Sequence, residues 1–246
     1  MAYDGSKYCG WQLQKDRPTI QGSIEEALKK ICSRPVRVHG SGRTDSGVHA
    51  LGQVAHFDPP ESKNGLPWHK ALNSLLPGSI RVIRSLALDQ DFHARFSAVS
   101  KTYSYTIWTE PDFVFPQRKN YVWQAGPLGL KAMKDASLSL LGKHDFRAFM
   151  NTGTMVSSTW REIKQISFDS GLYPQELVIR VRADGFLKQM VRNIVGALVV
   201  IGRKKYPDNY LEQILFARNR ILAPATAPAR GLCLEQVEYP ERTGVH

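Results

Sequence analysis

Cysteine is scarce in this chain, and no residue pattern in it is suited to binding a metal. Cys9, Cys32 and Cys233 lie far apart, and no two have metal-ligand spacing. An odd count builds no disulfide framework, which points to a reducing compartment. Seven histidines are present, His49 and His56 among them, but no HExxH or CxxC arrangement accompanies them. No structural metal is expected. Long apolar runs are missing as well. No stretch approaches the ~20 residues of a membrane-spanning helix, and the N-terminus lacks the apolar core of a signal peptide. These absences predict a cytoplasmic protein with no membrane partner. No segment is low-complexity, and no sequence repeat is convincing. Acidic residues are in short supply: 22 Asp and Glu stand against 33 Lys and Arg, a formal charge of +11. A field of that sign favours a polyanionic partner, nucleic acid before membrane surface.

What is present is an ordinary globular composition, 42% hydrophobic and 22% charged. The length, 246 residues, allows one or two domains. "SIEEALKKI" opens with a capping box, Ser23 with Glu26, and continues with Ile24, Ala27, Leu28 and Ile31 at helical spacing until Pro35. Further helices are predicted over 67–76, 128–141 (ending at Gly142), 186–201, and 208–217 with Asp208 as cap. In 186–201 the apolar arc is Leu187, Met190, Val191, Ile194, Val195 and Leu198, with Arg192 at its edge. Strands are predicted at 80–88, 101–108, near 160–168, 176–183 and 231–239. In "KTYSYTIW", Tyr103, Tyr105 and Ile107 alternate with Thr102, Ser104 and Thr106. Helices and strands mix in both halves without strict βαβ alternation, so the fold class is α+β with a largely antiparallel sheet. The boundary is set in "FHARFSAVSK", dividing the chain into 1–98 and 99–246.

Residues 42–50 read "GRTDSGVHA". Asp45 lies between Gly42 and Gly47 in a stretch too rich in glycine and small polar residues for a strand or helix interior. Strand-like runs flank it, "VRVH" at 36–39 and "QVAHF" at 53–57. A loop held between two strands presents a reactive group well. Taken alone, Asp45 reads first as an aspartate that bonds its own turn backbone, and Tyr103 as plain sheet packing.

Five segments shift that balance: "YDGSKYCGWQ", "GRTDSGVHALGQVAHF", "DFHARFSA" followed by Tyr103 in "YSY", "GFLKQMVRNIVGAL", and "APARGLCL". In this order and at these distances, over essentially the whole chain, they closely resemble the tRNA pseudouridine synthase A family. The resemblance implies a uridine isomerase acting at positions 38–40 of the tRNA anticodon stem-loop. It also implies two α/β halves around a continuous sheet with a central active-site cleft, a homodimer, and no cofactor. Asp45 falls on the family's essential aspartate. Arg43 falls on the arginine that helps hold the target nucleotide out of the helix, and Tyr103 on the tyrosine that stacks on the target base. Arg192 falls on a basic residue that pairs with the aspartate, and Leu232 on an apolar residue of the uracil pocket. Two departures stand out. Ser46 replaces the usual alanine, and Lys101-Thr102 precede Tyr103 where a more basic pair is common.

These residue types suit the reaction. Glycosidic cleavage passes through positive charge at the sugar, which a carboxylate stabilises or traps. The target base must leave its stack, at a cost of a few kcal/mol, and a flat tyrosine returns about 1–3 kcal/mol per stacked base. Whether Asp45 attacks the sugar carbon, attacks C6 of uracil or draws a proton from the sugar is left open. Two rival readings remain: a non-catalytic tRNA-binding protein on the same scaffold, and a pseudouridine synthase for another RNA.

Overall fold

The structure is a computed structural model that describes residues 1–89, 91–151, 153, 156–207 and 209–241. It is of the mixed α+β class, with mostly antiparallel strand pairs. The chain divides into two compact units, Met1–Lys101 with Cys233–His246, and Thr102–Leu232.

In the first unit, β1 (Ala2–Tyr3) pairs antiparallel with both β3 (His49–Ala50) and β5 (Ile80–Arg81). The last strand, β11 (Leu232–Glu238), runs parallel to β3, with Cys233 opposite His49 and Leu234 opposite Ala50. A separate two-stranded ribbon joins β2 (His39–Gly40) to β4 (Ala55–His56). Helix α1 (Ile20–Cys32) buries Ile20, Ile24, Ala27 and Leu28. It starts three residues before the expected capping box. Thr19 is the cap, its hydroxyl accepting from Gly22 N at 3.2 Å. The Ser23 hydroxyl instead bonds back to Thr19 O from inside the helix. Helix α2 (Trp68–Asn73) is short, and the half-buried Trp68 ring meets Phe57 edge-on at 5.0 Å. The strand expected at 80–88 shrinks to Ile80–Arg81. Beyond it, the Asn73 side chain bonds both Val82 N and Val82 O at 2.8 Å, satisfying that backbone without a neighbouring strand.

In the second unit, strand order is β6-β10-β9-β8, with β7 beside β6. These strands are β6 (Ser100–Trp108, entering this unit at Thr102), β7 (Trp123–Gln124), β8 (Gly142–Asp145), β9 (Trp160–Ser170) and β10 (Glu176–Ala183). The β9–β10 pair is long and antiparallel, from Leu177 opposite Ser170 to Ala183 opposite Ile163. Helix α3 (Leu130–Ser137) is followed by a 3₁₀ turn to Leu140 and by Gly142 at φ 88°. Helix α4 (Met190–Gly202) starts later than predicted, because Gln189 takes the left-handed conformation at φ 60° and keeps 186–189 out of the helix. It is buried on nearly every side, Asn193, Gly196, Ala197 and Val199 included, rather than along one arc. Helix α5 (Tyr210–Ala217) follows, with Asn209 as its N-cap residue; the predicted cap, Asp208, lies outside the described residues. No helix among the described residues is long and apolar enough to cross a membrane.

Candidate active site

The loop carrying Asp45 is not flanked by two long strands, as the sequence suggested. "VRVH" and "QVAHF" contribute only the β2–β4 ribbon, and the last two residues of the motif, His49-Ala50, are themselves strand β3. What fixes the loop is side-chain and backbone bonding at both ends. Ser41 N donates to Val54 O at 2.7 Å. The buried Ser41 hydroxyl donates to Gln53 Oε1 at 2.7 Å, and Gln53 Nε2 donates to Gly42 O at 3.0 Å and to the Tyr3 hydroxyl at 3.3 Å. Tyr3 in turn shares a 2.9 Å bond with the Thr44 hydroxyl. Burial pushes the Tyr3 phenol well above its ordinary range, so this hydroxyl stays protonated.

The N-terminal segment forms the other wall. Trp11 N donates to Thr44 O at 3.0 Å, and Gly47 N donates to Tyr8 O at 3.4 Å. Glycine is required at two places here. A Cβ on Gly5 would lie 2.0 Å from Val48 O. One on Gly10, whose φ is +93°, would lie 2.6 Å from Thr44 O and 3.1 Å from Asp45 C. "YDGSKYCGW" and "GRTDSGV" thus belong together because one is the bed of the other. Ser46, the departure from alanine, gains a bond, its hydroxyl donating to Tyr8 O at 3.1 Å. With Thr44 buried beneath, Asp45 is half-buried and Arg43 is exposed.

Lys101 closes the loop's first residue. Its ammonium donates to Ser41 O at 2.5 Å and lies 3.2 Å from where a Gly42 Cβ would stand. Burial, and then the charge of Arg95, push its pKa down to about 8. The sequence marks Lys101 only as part of a pair less basic than is common before Tyr103; in the structure its ammonium bonds the start of the Asp45 loop. Gln53, Ser41 and Thr44 were not singled out at all. Their only sequence signal is that small or amide residues flank the glycines of the motif.

Tyr103, Arg192 and Leu232 belong to the second unit. Tyr103 lies on β6, buried, with the Phe186 ring edge-on at 5.1 Å. Arg192 is in the first turn of α4, half-buried, and Nε donates to Ala227 O at 2.7 Å, while Ala227 N donates to Arg192 O at 3.2 Å. The 223–232 segment is thereby tied to α4. Gly196 lets it approach, since a Cβ there would meet Ala225 O at 2.3 Å. Arg220 reinforces it by donating to Asn193, Thr226, Ala223 and Asn151. The same segment is tied to β6, because Tyr105 donates to Pro228 O at 2.7 Å. Gly231 also lies against Tyr105: a Cβ on it would stand 2.6 Å from the ring. Burial raises the Tyr105 phenol, against smaller opposing pulls from Arg192 and Arg230. Leu232, buried, ends this segment. The second unit therefore gathers a tyrosine, an arginine and an apolar side chain on elements that brace one another.

Within this α+β fold, a half-buried carboxylate on a clamped glycine loop is a polar group held in a fixed place where a bound substrate can meet it. The comparisons make this specific. The family model described as tRNA pseudouridine synthase matches residues 1–97 and 136–240, and the chain belongs to that family of isomerases. It is 49% identical over 241 residues to the tRNA pseudouridine synthase A of Maridesulfovibrio salexigens, covering 98% of this chain and 89% of that one. Identity to the protein of that name from Solidesulfovibrio magneticus is 51% over 244 residues (97% and 89% covered). To that of Enterobacter sp. it is 38% over 242 residues (98% and 88% covered).

Proposed function

We propose that this chain converts uridine to pseudouridine at positions 38–40 of the tRNA anticodon stem-loop, with Asp45 as the essential carboxylate. The observation that carries the reading is the clamping of the Asp45 loop at Ser41, Gly42, Thr44 and Gly47, which holds a carboxylate in place before substrate arrives. The relatives' shared name supplies the tRNA. In the reaction, uracil N1 leaves the ribose with the bonding pair and the base turns. C5 then bonds the sugar carbon, C5 loses its proton, and N1 takes one up. The product is an isomer, so the step needs no net oxidant or reductant. Asp45 stabilises or traps the positive sugar. Tyr103 stacks on the base, Leu232 walls the uracil, and Arg43 holds the extruded nucleotide. Arg192 is the basic residue that the family resemblance assigns to the carboxylate's service.

Release of tritium from 5-tritiated uridine in an unmodified tRNA transcript tests this, because C5 must give up its hydrogen once it has bonded the sugar carbon. Transcripts with uridine at positions 38, 39 or 40 alone locate the target; label retained in all of them sinks the reading. A ribosomal RNA fragment in parallel tests the other-RNA alternative. The same proposal makes the enzyme a cytoplasmic homodimer. A single sedimenting species at twice the chain mass is the expected result for the dimer, and fractionation of intact cells checks the compartment.

A further inference from the structure

We propose that the Arg95–Phe96 edge of the first unit is a stacking platform for an unpaired nucleobase of the RNA, a subsite separate from the loop that carries Asp45. It rests on the RNA reading above. Phe96 is 75% exposed. A lone exposed phenylalanine would need no explanation, but the backbone beneath this one is fixed at several points. His56 Nδ1 accepts from Ala94 N at 3.1 Å. His93 Nδ1 accepts from Arg95 N at 3.1 Å and from Phe96 N at 3.3 Å. The Tyr239 hydroxyl donates to Ala94 O at 2.6 Å, and Ala94 itself has no exposed surface. A segment held in this way presents an apolar ring to water by construction, not by looseness.

The ring also has the neighbours such a platform needs. The guanidinium of Arg95 stands 5.6 Å from the Phe96 centroid, and the His93 ring lies 4.3 Å away. Behind them His93 meets His56 at 4.6 Å, and His56 stacks on His39 at 5.1 Å with the planes 21° apart. Both imidazoles use their Nδ1 lone pairs on backbone N–H groups of this segment, so His56 and His93 form an aromatic row whose Nδ1 atoms are already engaged. Burial and the flanking imidazoles also push His56 below its ordinary pKa. The charge comes from Arg95, which is near enough to Lys101 to depress that ammonium, and Lys101 bonds Ser41 at the start of the Asp45 loop. The platform and the loop therefore share a neighbourhood within one unit.

The occupant follows from the chemistry. The patch mixes flat rings with a guanidinium in a chain of charge +11, and a field of that sign attracts a polyanion and repels a second copy of the same basic chain. A single-stranded nucleotide offers a π-face and a phosphate together.

The test uses the full chain, an unmodified tRNA transcript and fixed salt. Phe96→Ala should weaken binding about 5- to 150-fold, the range that 1–3 kcal/mol of stacking converts to. Phe96→Trp should stay within about two-fold of wild type. Single-turnover tritium release at saturating tRNA should stay within about three-fold in both, and melting temperatures should not move. Binding by Phe96→Ala equal to wild type overturns the platform. So does a Trp variant as weak as the Ala variant, or a loss of affinity that tracks a change of oligomeric state, since the ring would then pack on a second copy. Wild-type protein that binds the transcript but releases no tritium refutes the isomerase reading alone, and the binding comparison still decides the platform. Wild-type protein that does not bind it refutes both.

Discussion

Asp45 and the residues around it are predicted to separate chemistry from binding. Asp45→Asn should abolish tritium release while tRNA affinity stays within a few fold, because affinity is spread over many phosphates. Residual turnover above about a tenth of wild type, only ~1.4 kcal/mol of barrier, would sink the assignment of Asp45 as essential. Arg192→Ala should lower turnover more than binding if the guanidinium serves the carboxylate; a surface arginine, worth under about 1 kcal/mol in a pair, would change neither. Lys101 gives a prediction with a sign. Its ordinary pKa is 10.5, and burial lowers it to about 8 in the folded chain. Between those values the unfolded chain binds more protons, so this group's contribution to stability rises with pH across that window. Below about pH 8 the buried ammonium costs stability in full. Urea unfolding of wild type and Lys101→Met at pH 7 and pH 10 should therefore find wild type gaining on the variant at the higher pH. An unchanged difference means the ammonium is not buried in solution.

At the scale of elements, the Asp45 loop takes its shape from a segment some forty residues earlier in the chain. Gly10→Ala puts a methyl group 2.6 Å from Thr44 O at a backbone φ of +93°. The expected cost is of order 1–3 kcal/mol in stability, and because the strain falls on Thr44-Asp45, turnover should drop at least ten-fold with a smaller change in affinity. A variant with wild-type turnover would mean that the N-terminal segment does not set the loop. This dependence explains what the sequence could and could not tell. The long periodic elements, α1, β6, β9 and β10, were legible because apolar periodicity is a local property. The run "IRVIRSLAL" was misread as one strand because Asn73, not a neighbouring strand, takes up its backbone at Val82. The start of α4 was missed because Gln189 turns left-handed where Asn151 bonds it. The Asp45 loop could be read from its glycines. Its clamp could not: Gln53 on Ser41 and Gly42, and Tyr3 on Thr44, are contacts between distant positions that carry no local pattern.

For the whole molecule the governing quantity is charge, 33 basic residues against 22 acidic and a pI near 9.7. Buried carboxylates such as Glu176 and Asp145 are matched locally, by Arg118 at 2.6 Å and Arg218 at 3.6 Å. The surplus of positive charge is a property of the surface, where it acts on a polyanion through its counterions. Each phosphate that the protein neutralises releases condensed cations, so log affinity should fall against log salt with a slope of about −0.7 to −0.9 per phosphate. With six or more contacts, affinity would fall roughly a thousand-fold or more between 50 and 200 mM salt. The chemical step should behave differently. The bonds that fix the Asp45 loop are largely buried, and buried interactions are weakly screened. Single-turnover tritium release measured at saturating tRNA should thus be nearly independent of salt over the range in which binding collapses. Asp45→Asn should keep the wild-type salt slope, because the positive charges that displace the counterions are untouched. The measurement is a filter-binding titration of tRNA at five salt concentrations, paired with rapid-quench turnover at each. A flat binding slope would remove the basic surface from substrate capture. A turnover rate that falls in step with affinity would mean that the loop is organised by the RNA phosphates rather than by Gln53, Tyr3 and Lys101.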